Sequence, residues 1–208
     1  QNTFAITTRM LGVMFAVHSD KKGLILPPNL APYQVVIIPI FNEKNKNKTL
    51  KEARKIKNNL KKCNAFLDER EEYRPGFKFN EYELKGIPVR IEIGPKDIEK
   101  KQAVIVRRDS GKKQAVKITK LKLEIEKVLK DIQENLLKNA EKLLKENVVA
   151  VKNFRELENS IKNKKIALAN LCNSRLCEDN LNFKTKGAKV LIIDEKKKVK
   201  GKCVVCGK

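Results

Sequence analysis

The chain of 208 residues contains one histidine and no long apolar stretch. His18 lies between an apolar run and a loop, and no serine constellation accompanies it, so the sequence does not indicate a hydrolase. No apolar stretch approaches the roughly 20 residues that a membrane span needs. The start of the chain also lacks the basic-then-apolar pattern of a secretion signal. These absences predict a soluble, cytoplasmic protein.

Acidic residues are scarce relative to basic ones. The chain has 47 Lys and Arg against 25 Asp and Glu, which gives a formal net charge of +22. A field of this sign attracts polyanions or acidic membrane surfaces. Because no part of the chain is acidic enough to compensate, nucleic acid is the leading class of partner.

Proline punctuation near the start separates two parts of the chain. The stretch KGLILPPNLAPYQ cannot continue a helix, and we place a domain boundary near Pro32. The apolar run at 35–40 predicts a buried strand, and the polar stretch after it leads into a predicted helix at 50–62, capped by Thr49. A turn and a short helix that ends at Gly86 are expected next.

Further strands follow in the same region. In PVRIEI the apolar and charged residues alternate, which predicts a half-buried strand at 88–93. Residues 103–106 and 114–118 flank RRDSGKK and predict a hairpin with Gly111 in the turn. Strands that alternate with helices favour a mixed α/β domain.

Apolar residues then recur at steps of three and four from Leu121 to Leu144. This period predicts an amphipathic helix of about 26 residues, roughly 40 Å long. A smaller α+β unit is expected from about residue 151, with a helix over FRELENSIKN and a strand at 189–194. The predicted domains are therefore 1–32, 33–150 and 151–208.

Four of the five cysteines form two local pairs. Cys172 and Cys177 are spaced CxxxxC, and Cys203 and Cys206 are spaced CxxC. Two such pairs can supply the closed tetrahedral thiolate set of a structural zinc ion, whose binding energy would stabilise a domain with a small core. The alternative is two coincidental pairs of reduced thiols. Cys63 is expected to be a buried or half-buried residue and not a ligand.

Several stretches together resemble the prolyl-tRNA synthetases of the archaeal and eukaryotic type. QNTFAITTRMLG resembles the third signature motif of class II synthetases, and PGFKFNEYELKGIPVRIEIGPKD resembles the anticodon-binding domain. CEDN and CVVCGK are similar to the zinc-bearing carboxy-terminal domain. The resemblance implies a carboxy-terminal portion: 1–32 as the edge of a catalytic domain, then an α/β anticodon-binding domain with a mixed sheet and its long helix, then a zinc-binding domain.

The resemblance implies ATP-dependent attachment of proline to its tRNA, with ATP, magnesium and structural zinc as cofactors and a homodimeric intact enzyme. It assigns the ATP phosphates to Arg9, a guanidinium suited to anionic oxygen pairs, and an ATP contact to Thr7. The family has Trp-Gly where this chain has Phe4 and Ala5. The first two class II motifs would lie upstream of Gln1, so the isolated chain is not expected to activate proline.

For the tRNA, the resemblance implies recognition of two adjacent anticodon guanines. Guanine presents N–H groups to a carboxylate and the acceptors O6 and N7 to a cation, so both signs of charge must line the pocket. The matching positions are Glu83, Lys96, Asp97 and Lys112, although the register also permits Lys113. Arg107 and Arg108 are candidate phosphate contacts, which carry no sequence information.

Two other readings remain. A free-standing tRNA-binding module built from the same domains would lack catalysis. A zinc-ribbon nucleic-acid protein of unrelated type is disfavoured by the CxxxxC spacing and by GPKD.

Overall fold

A computed structural model describes residues 5–172, 174–193 and 201–208. Phe4, one of the two departures from the family pattern, lies outside these ranges. The chain falls into two compact units, Gln1–Ala140 and Glu141–Lys208. The domain limits at residues 32 and 150 stay predictions. Within the described ranges, the structure has no helix whose length and apolar character would let it cross a membrane.

The first unit combines a five-stranded sheet with helices. Its elements, in chain order, are α1 (Arg9–His18), β1 (Val35–Pro39), α2 (Lys46–Asn59), β2 (Ala65–Leu67), α3 (Pro75–Leu84), β3 (Val89–Ile93), α4 (Pro95–Glu99), β4 (Gln102–Arg107), β5 (Lys113–Lys117) and α5 (Leu121–Asn147), whose residues after Ala140 belong to the second unit. The predicted α/β class with a mixed sheet and a long helix is confirmed.

The sheet has the order β2-β1-β3-β4-β5. Strands β2, β1 and β3 are parallel to one another, whereas β4 pairs antiparallel with β3 and β5 pairs antiparallel with β4. The main core lies on one face, where β1 and β3 meet α2 and α5 through residues such as Ile37, Ile91 and Ile125. A smaller cluster on the other face joins Val36 and Ile38 of β1 to Tyr82 of α3. Helices on both faces explain why all five residues of β1 are apolar and buried.

Two local predictions need correction. The strand β3 is buried along its whole length, so the half-buried pattern predicted for it is wrong. Helix α2 begins at Lys46 after Asn45, and Thr49 is a fully buried residue inside the helix instead of its cap. The helix extends further because the Asn-rich stretch before Thr49 supplies its first turn.

The hairpin and the long helix are confirmed. Strands β4 and β5 pair antiparallel around a turn in which Gly111 has φ +67°. Helix α5 has 27 residues and buries one apolar stripe, from Leu121 to Leu136.

The second unit has a small core. It contains β6 (Val148–Ala150), α6 (Phe154–Lys162), β7 (Ile166–Leu168) and α7 (Arg175–Thr185). Strands β6 and β7 are parallel, and the buried apolar residues Val151, Leu157 and Leu181 form the centre. The strand predicted at 189–194 is wrong over its described residues 189–193, which belong to no strand. There Leu191, Ile192 and Ile193 are exposed, so the apolar run packs against no sheet.

Candidate nucleic-acid interface

Charged side chains lie on the face of the sheet that carries α3. Along β3, Arg90 and Glu92 stand in register with Val36 and Ile38 of β1, and so share their face. Across β4, Arg90 is opposite Val106, which in turn is opposite Lys113 of β5. Side chains from three neighbouring elements can therefore meet here.

Arg90 is the centre of this charged group. Its guanidinium donates to Glu83 Oε1 at 3.1 Å and to Glu92 Oε1 at 2.9 and 3.0 Å. The guanidinium carbon also lies 4.4 Å from the centre of the Phe79 ring, in cation–π geometry. Arg90 is 7% exposed, so these partners hold it in one position.

Glu83 carries a negative charge at neutral pH. Burial raises the pKa of this carboxyl, but its hydrogen bond and charge interaction with Arg90, together with the charges of Lys22 and Arg108, outweigh burial and bring the pKa below its usual value. Lys22 Nζ lies 3.6 Å from Glu83 Oε2. Since a carboxylate offers about four lone-pair sites, Glu83 can still accept hydrogen bonds from a ligand.

The two lysines that the sequence leaves open differ in their surroundings. Lys113 Nζ lies 3.4 Å from both carboxylate oxygens of Glu92. Lys112 is exposed in the turn before β5, and within the described ranges its ammonium has no ion-pair partner. Lys112 is therefore the freer donor of the two.

Arg90 lies near the start of β3, whereas Lys96 and Asp97 belong to α4, which follows the end of that strand. Asp97 Oδ2 accepts from the backbone N–H of Gly94 at 3.0 Å, and its Oδ1 accepts from Gln102 Nε2 at 3.3 Å. The carboxylate is thus fixed against the first turn of α4, while Lys96 is exposed. Position 94, where β3 has ended, is four residues beyond Arg90, about 13 Å along the strand. The predicted residues consequently occupy both ends of β3.

Arg107 and Arg108 are engaged inside the first unit. Arg107 donates to both carboxylate oxygens of Asp109, at 2.9 and 3.0 Å. Arg108 is 7% exposed and forms two hydrogen bonds to Asp20, at 2.6 and 2.8 Å. The geometry gives both arginines internal carboxylate partners instead of leaving them free for phosphate.

Sequence reasoning missed Arg90 and Glu92 as members of the site. The two charges are visible in PVRIEI, but their alternation with apolar residues predicts a half-buried strand, and only the structure shows that both are buried. A charged residue in a strand buried on both faces must be paired, and a buried pair next to the predicted Glu83 is a candidate member of the site.

Thr7 and Arg9 lie at the start of α1. Thr7 precedes α1, its carbonyl accepts from the N–H of Met10 at 3.1 Å, and Arg9 is the first residue of that helix. Both are exposed, and α1 has no buried residue. In the part of the chain that the structure describes, Arg9 has no carboxylate partner. The structure does not bring these two residues to the other predicted positions.

The four predicted cysteines come together in the second unit. The sulfur atoms of Cys172, Cys177, Cys203 and Cys206 all lie within 4.8 Å of one another. A tetrahedral zinc ion with bonds of about 2.3 Å separates its sulfur ligands by about 3.8 Å. The Sγ atom of Cys172 lies 3.8 Å from Sγ of Cys206 and 3.2 Å from Sγ of Cys177. The residues therefore fit a four-thiolate metal ion.

The thiols of this cluster have unequal pKa values. Burial raises the pKa of Cys203, but backbone N–H groups of Cys172, Cys206 and Val205 outweigh it and lower the pKa to about 6. Hydrogen bonding with its sulfur neighbours, Cys172 above all, favours the protonated Cys177 thiol, and together with burial it raises the pKa of Cys177 to about 12. Four thiolates this close repel one another, and a divalent cation between them would remove that repulsion.

Known proteins resemble the chain along its whole length. The anticodon binding domain family matches residues 34–134, which include the sheet and about the first half of α5. The proline–tRNA ligase of Natranaerobius thermophilus is 40% identical over 209 residues, covering 100% of this chain and 43% of that protein. The proline–tRNA ligases of Clostridium botulinum and Alkaliphilus oremlandii are also 40% identical, over 207 and 208 residues, with 99% of the chain and 43% of each protein covered.

The resemblance inferred from the sequence motifs is therefore confirmed, and the chain spans less than half the length of the relatives that it matches. The predicted site residues Glu83, Lys96, Asp97 and Lys112 all lie inside the matched range. The cysteine cluster lies outside it.

Proposed function

We propose that this chain, which resembles a carboxy-terminal portion of the proline–tRNA ligases, supplies anticodon recognition to an enzyme that attaches proline to its tRNA with ATP. The observation that carries the proposal is the ionised Glu83, held by buried Arg90 inside a matched anticodon binding domain. A carboxylate whose charge and position are both fixed is suited to read a base edge.

The proposed reading of guanine uses both signs of charge. Glu83 accepts from the N–H groups on the Watson–Crick edge of one guanine, while Arg90 keeps the carboxylate in place. Lys96 and Lys112, both exposed, donate to O6 or N7. The hydrogen bonds of Asp97 to Gly94 and Gln102 keep its carboxylate at the end of β3. From this position the Asp97 carboxylate reads the second guanine, which is next to the first.

The preference for Lys112 over Lys113 rests on their surroundings. The Lys113 ammonium lies near both oxygens of Glu92, so a base would have to compete with that carboxylate. Lys112 has no such competitor in the described ranges. It can therefore turn towards a ligand at the cost of its side-chain entropy alone.

The cysteine cluster is proposed to hold a structural zinc ion. Four thiolate ligands leave no open coordination position, so the ion would not take part in the chemistry of a reaction. The core of the second unit is small, and zinc binding would contribute folding energy to it. This assignment extends to residues 151–208 as the zinc-binding domain.

The remaining roles are proposed for the complete enzyme. Thr7 and Arg9 contact ATP, whose phosphates bring magnesium, and residues 1–32 form the edge of the catalytic domain. The complete enzyme is a homodimer in the cytoplasm, where tRNA is available and thiols stay reduced. A free-standing tRNA-binding module would have the same geometry, but no observation favours it over the ligase.

The experiment compares two tRNAs. Binding of the 208-residue chain is measured at one moderate salt concentration for proline tRNA and for the same tRNA with its two adjacent anticodon guanines replaced. We expect the replaced tRNA to bind at least about tenfold more weakly, since each lost base-edge pair contributes about 1–3 kcal/mol. Glu83→Gln is expected to remove most of this discrimination, whereas Glu43→Gln, in the loop before α2, is the control. Equal binding of both tRNAs would refute the proposal.

A further inference from the structure

Two exposed aromatic rings stack on each other at the start of α3. The centres of the Tyr73 and Phe77 rings are 4.6 Å apart and the rings are inclined by only 14°. Tyr73 is 41% exposed and Phe77 53% exposed. A ring has two faces, so Phe77 has one face on Tyr73 while much of its remaining surface meets solvent. Exposing the apolar surface of two aromatic rings to water is unfavourable. The exposed pair is therefore a candidate binding surface.

The stacked pair is held on a rigid base. The Arg70 guanidinium lies 4.9 Å from the centre of the Tyr73 ring and is itself fixed by two hydrogen bonds to Asp68, at 2.8 and 3.0 Å, and by one to Glu81. Lys78, 2% exposed, donates to the backbone carbonyls of Asp68 and Arg70. The segment that carries Tyr73 is therefore held by the buried Lys78–Asp68 ion pair and by the half-buried Arg70.

The position of the pair relates it to the charged site. Helix α3 connects the parallel strands β2 and β3, and so runs antiparallel to both. Its first turn therefore lies at the carboxyl ends of these strands, where β3 ends and is followed by Lys96 and Asp97. Phe77 and Glu83 are six residues apart on the same helix, about 9 Å along its axis.

The charges around the rings favour a polyanion. Arg74 is exposed and, in the described part of the chain, has no carboxylate partner. The acidic neighbours Glu69 and Glu71 are each paired, with Arg54 at 2.7 Å and with Lys46 at 2.7 Å, which leaves Glu72 exposed. A free cation beside an open aromatic face is the combination that binds an unpaired nucleotide, by stacking on the base and by contact with the phosphate.

We propose that Phe77, supported by Tyr73, stacks on an unpaired base of the anticodon loop next to the guanines, and that Arg74 contacts the adjoining phosphate. This inference rests on the proposed function and extends it to a nucleotide that is bound but not read. Every base has a flat π-face, so stacking holds the loop in position whatever the base is.

The experiment uses the 208-residue chain and proline tRNA with 2-aminopurine placed, one position at a time, at the unpaired positions of the anticodon loop. We expect the native chain to quench or enhance fluorescence at one position. Phe77→Ala should abolish that signal and weaken binding about 5- to 150-fold, the range for loss of one base stack. Phe77→Trp should retain both, and Phe77→Leu should behave like Phe77→Ala.

Three comparisons make the test decisive. Phe183→Ala removes an exposed phenyl ring from α7, where Phe183 is 83% exposed, and should change nothing. Arg74→Gln should lower the dependence of log affinity on log salt by about 0.7, the value for one phosphate contact on a single strand, while Phe77→Ala leaves the slope unchanged. Unfolding curves of all variants confirm that they fold.

Native affinity in Phe77→Ala with guanine discrimination intact would overturn the stacking proposal and leave the proposed function standing. Equal binding of the native and guanine-replaced tRNAs would overturn the proposed function instead. If the native chain self-associates in sedimentation and Phe77→Ala alone abolishes this, the rings are a protein contact and the stacking proposal fails.

Discussion

Asp20 and Arg108, which are 88 residues apart in the sequence, form a bidentate ion pair. Arg108 Nη2 donates to Asp20 Oδ1 at 2.6 Å and Nη1 donates to Oδ2 at 2.8 Å. The same guanidinium donates from Nε to the carbonyl oxygen of Glu83 at 2.8 Å. Leu24 N–H in turn donates to the carbonyl of Leu84 at 3.0 Å. The connector, residues 19–34 between α1 and β1, therefore fixes the backbone that carries the proposed base-reading carboxylate.

The Asp20–Arg108 pair predicts a pH-dependent loss of stability. The hydrogen bond from Arg108 lowers the pKa of Asp20 to about 2, so the stability it contributes is present above about pH 4 and is lost as the pH falls towards 2. Asp20→Asn should lower the free energy of unfolding by about 1 kcal/mol at pH 7, a modest value because Asp20 is 41% exposed and water screens the pair. Denaturant unfolding at pH 7 and at pH 2 measures this.

The difference between native protein and Asp20→Asn should shrink at pH 2, where the native carboxyl is partly protonated. Asp179→Asn, at an exposed position of α7, is the matched control and should be neutral at both pH values. An Asp20→Asn effect that is the same at pH 2 as at pH 7 would contradict the role of this ion pair.

Gly86 is predicted to be intolerant of any side chain. It has φ +74°, and an added Cβ would lie 2.7 Å from the backbone carbonyl carbon and oxygen of Leu24. Gly86→Ala should therefore lower the free energy of unfolding by about 2 kcal/mol or more, through backbone strain and displacement of the connector. Gly76→Ala on α3, where nothing lies within 4 Å, is the control and should be neutral or slightly stabilising. Equal stability of the two variants in denaturant unfolding would refute this account.

Strong periodic patterns in the sequence were sufficient to predict the framework. The apolar steps from Leu121 predicted α5, and the turn at Gly111 predicted the hairpin, because both depend on neighbouring residues. Burial of Arg90 and Glu92 could not be predicted in this way. It depends on β4 lying beside β3 and on a partner, Glu83, from another element.

The cysteine pairs show the same division between local and long-range information. Their spacing predicted a four-thiolate cluster, and the structure brings the sulfur atoms within 4.8 Å. The apolar run at 189–193 was locally a good strand, yet it found no partner strand in the described second unit. Strand formation depends on a neighbour that periodicity cannot supply.

The choice between Lys112 and Lys113 is open to a direct test. Lys112→Ala should reduce discrimination between proline tRNA and the guanine-replaced tRNA by about tenfold, because a free ammonium donor to O6 or N7 is lost. Lys113→Ala should have a smaller effect, since its ammonium already faces Glu92. The measurement is the ratio of the two dissociation constants for each variant at one salt concentration. The reverse order of effects would assign the contact to Lys113.

The cysteine cluster predicts that the two units differ in their response to metal removal. The pure, reduced chain should contain about one zinc ion per molecule, and the cobalt-substituted form should show the absorption of a four-thiolate site. A chelator should unfold residues 141–208, because their buried core is small, and leave the five-stranded sheet protected from hydrogen exchange. Cys206→Ser should abolish metal binding, whereas Cys63→Ser, at a buried cysteine of the first unit, should retain it. Metal-free protein whose second unit stays protected would show that the four thiols are not a metal site.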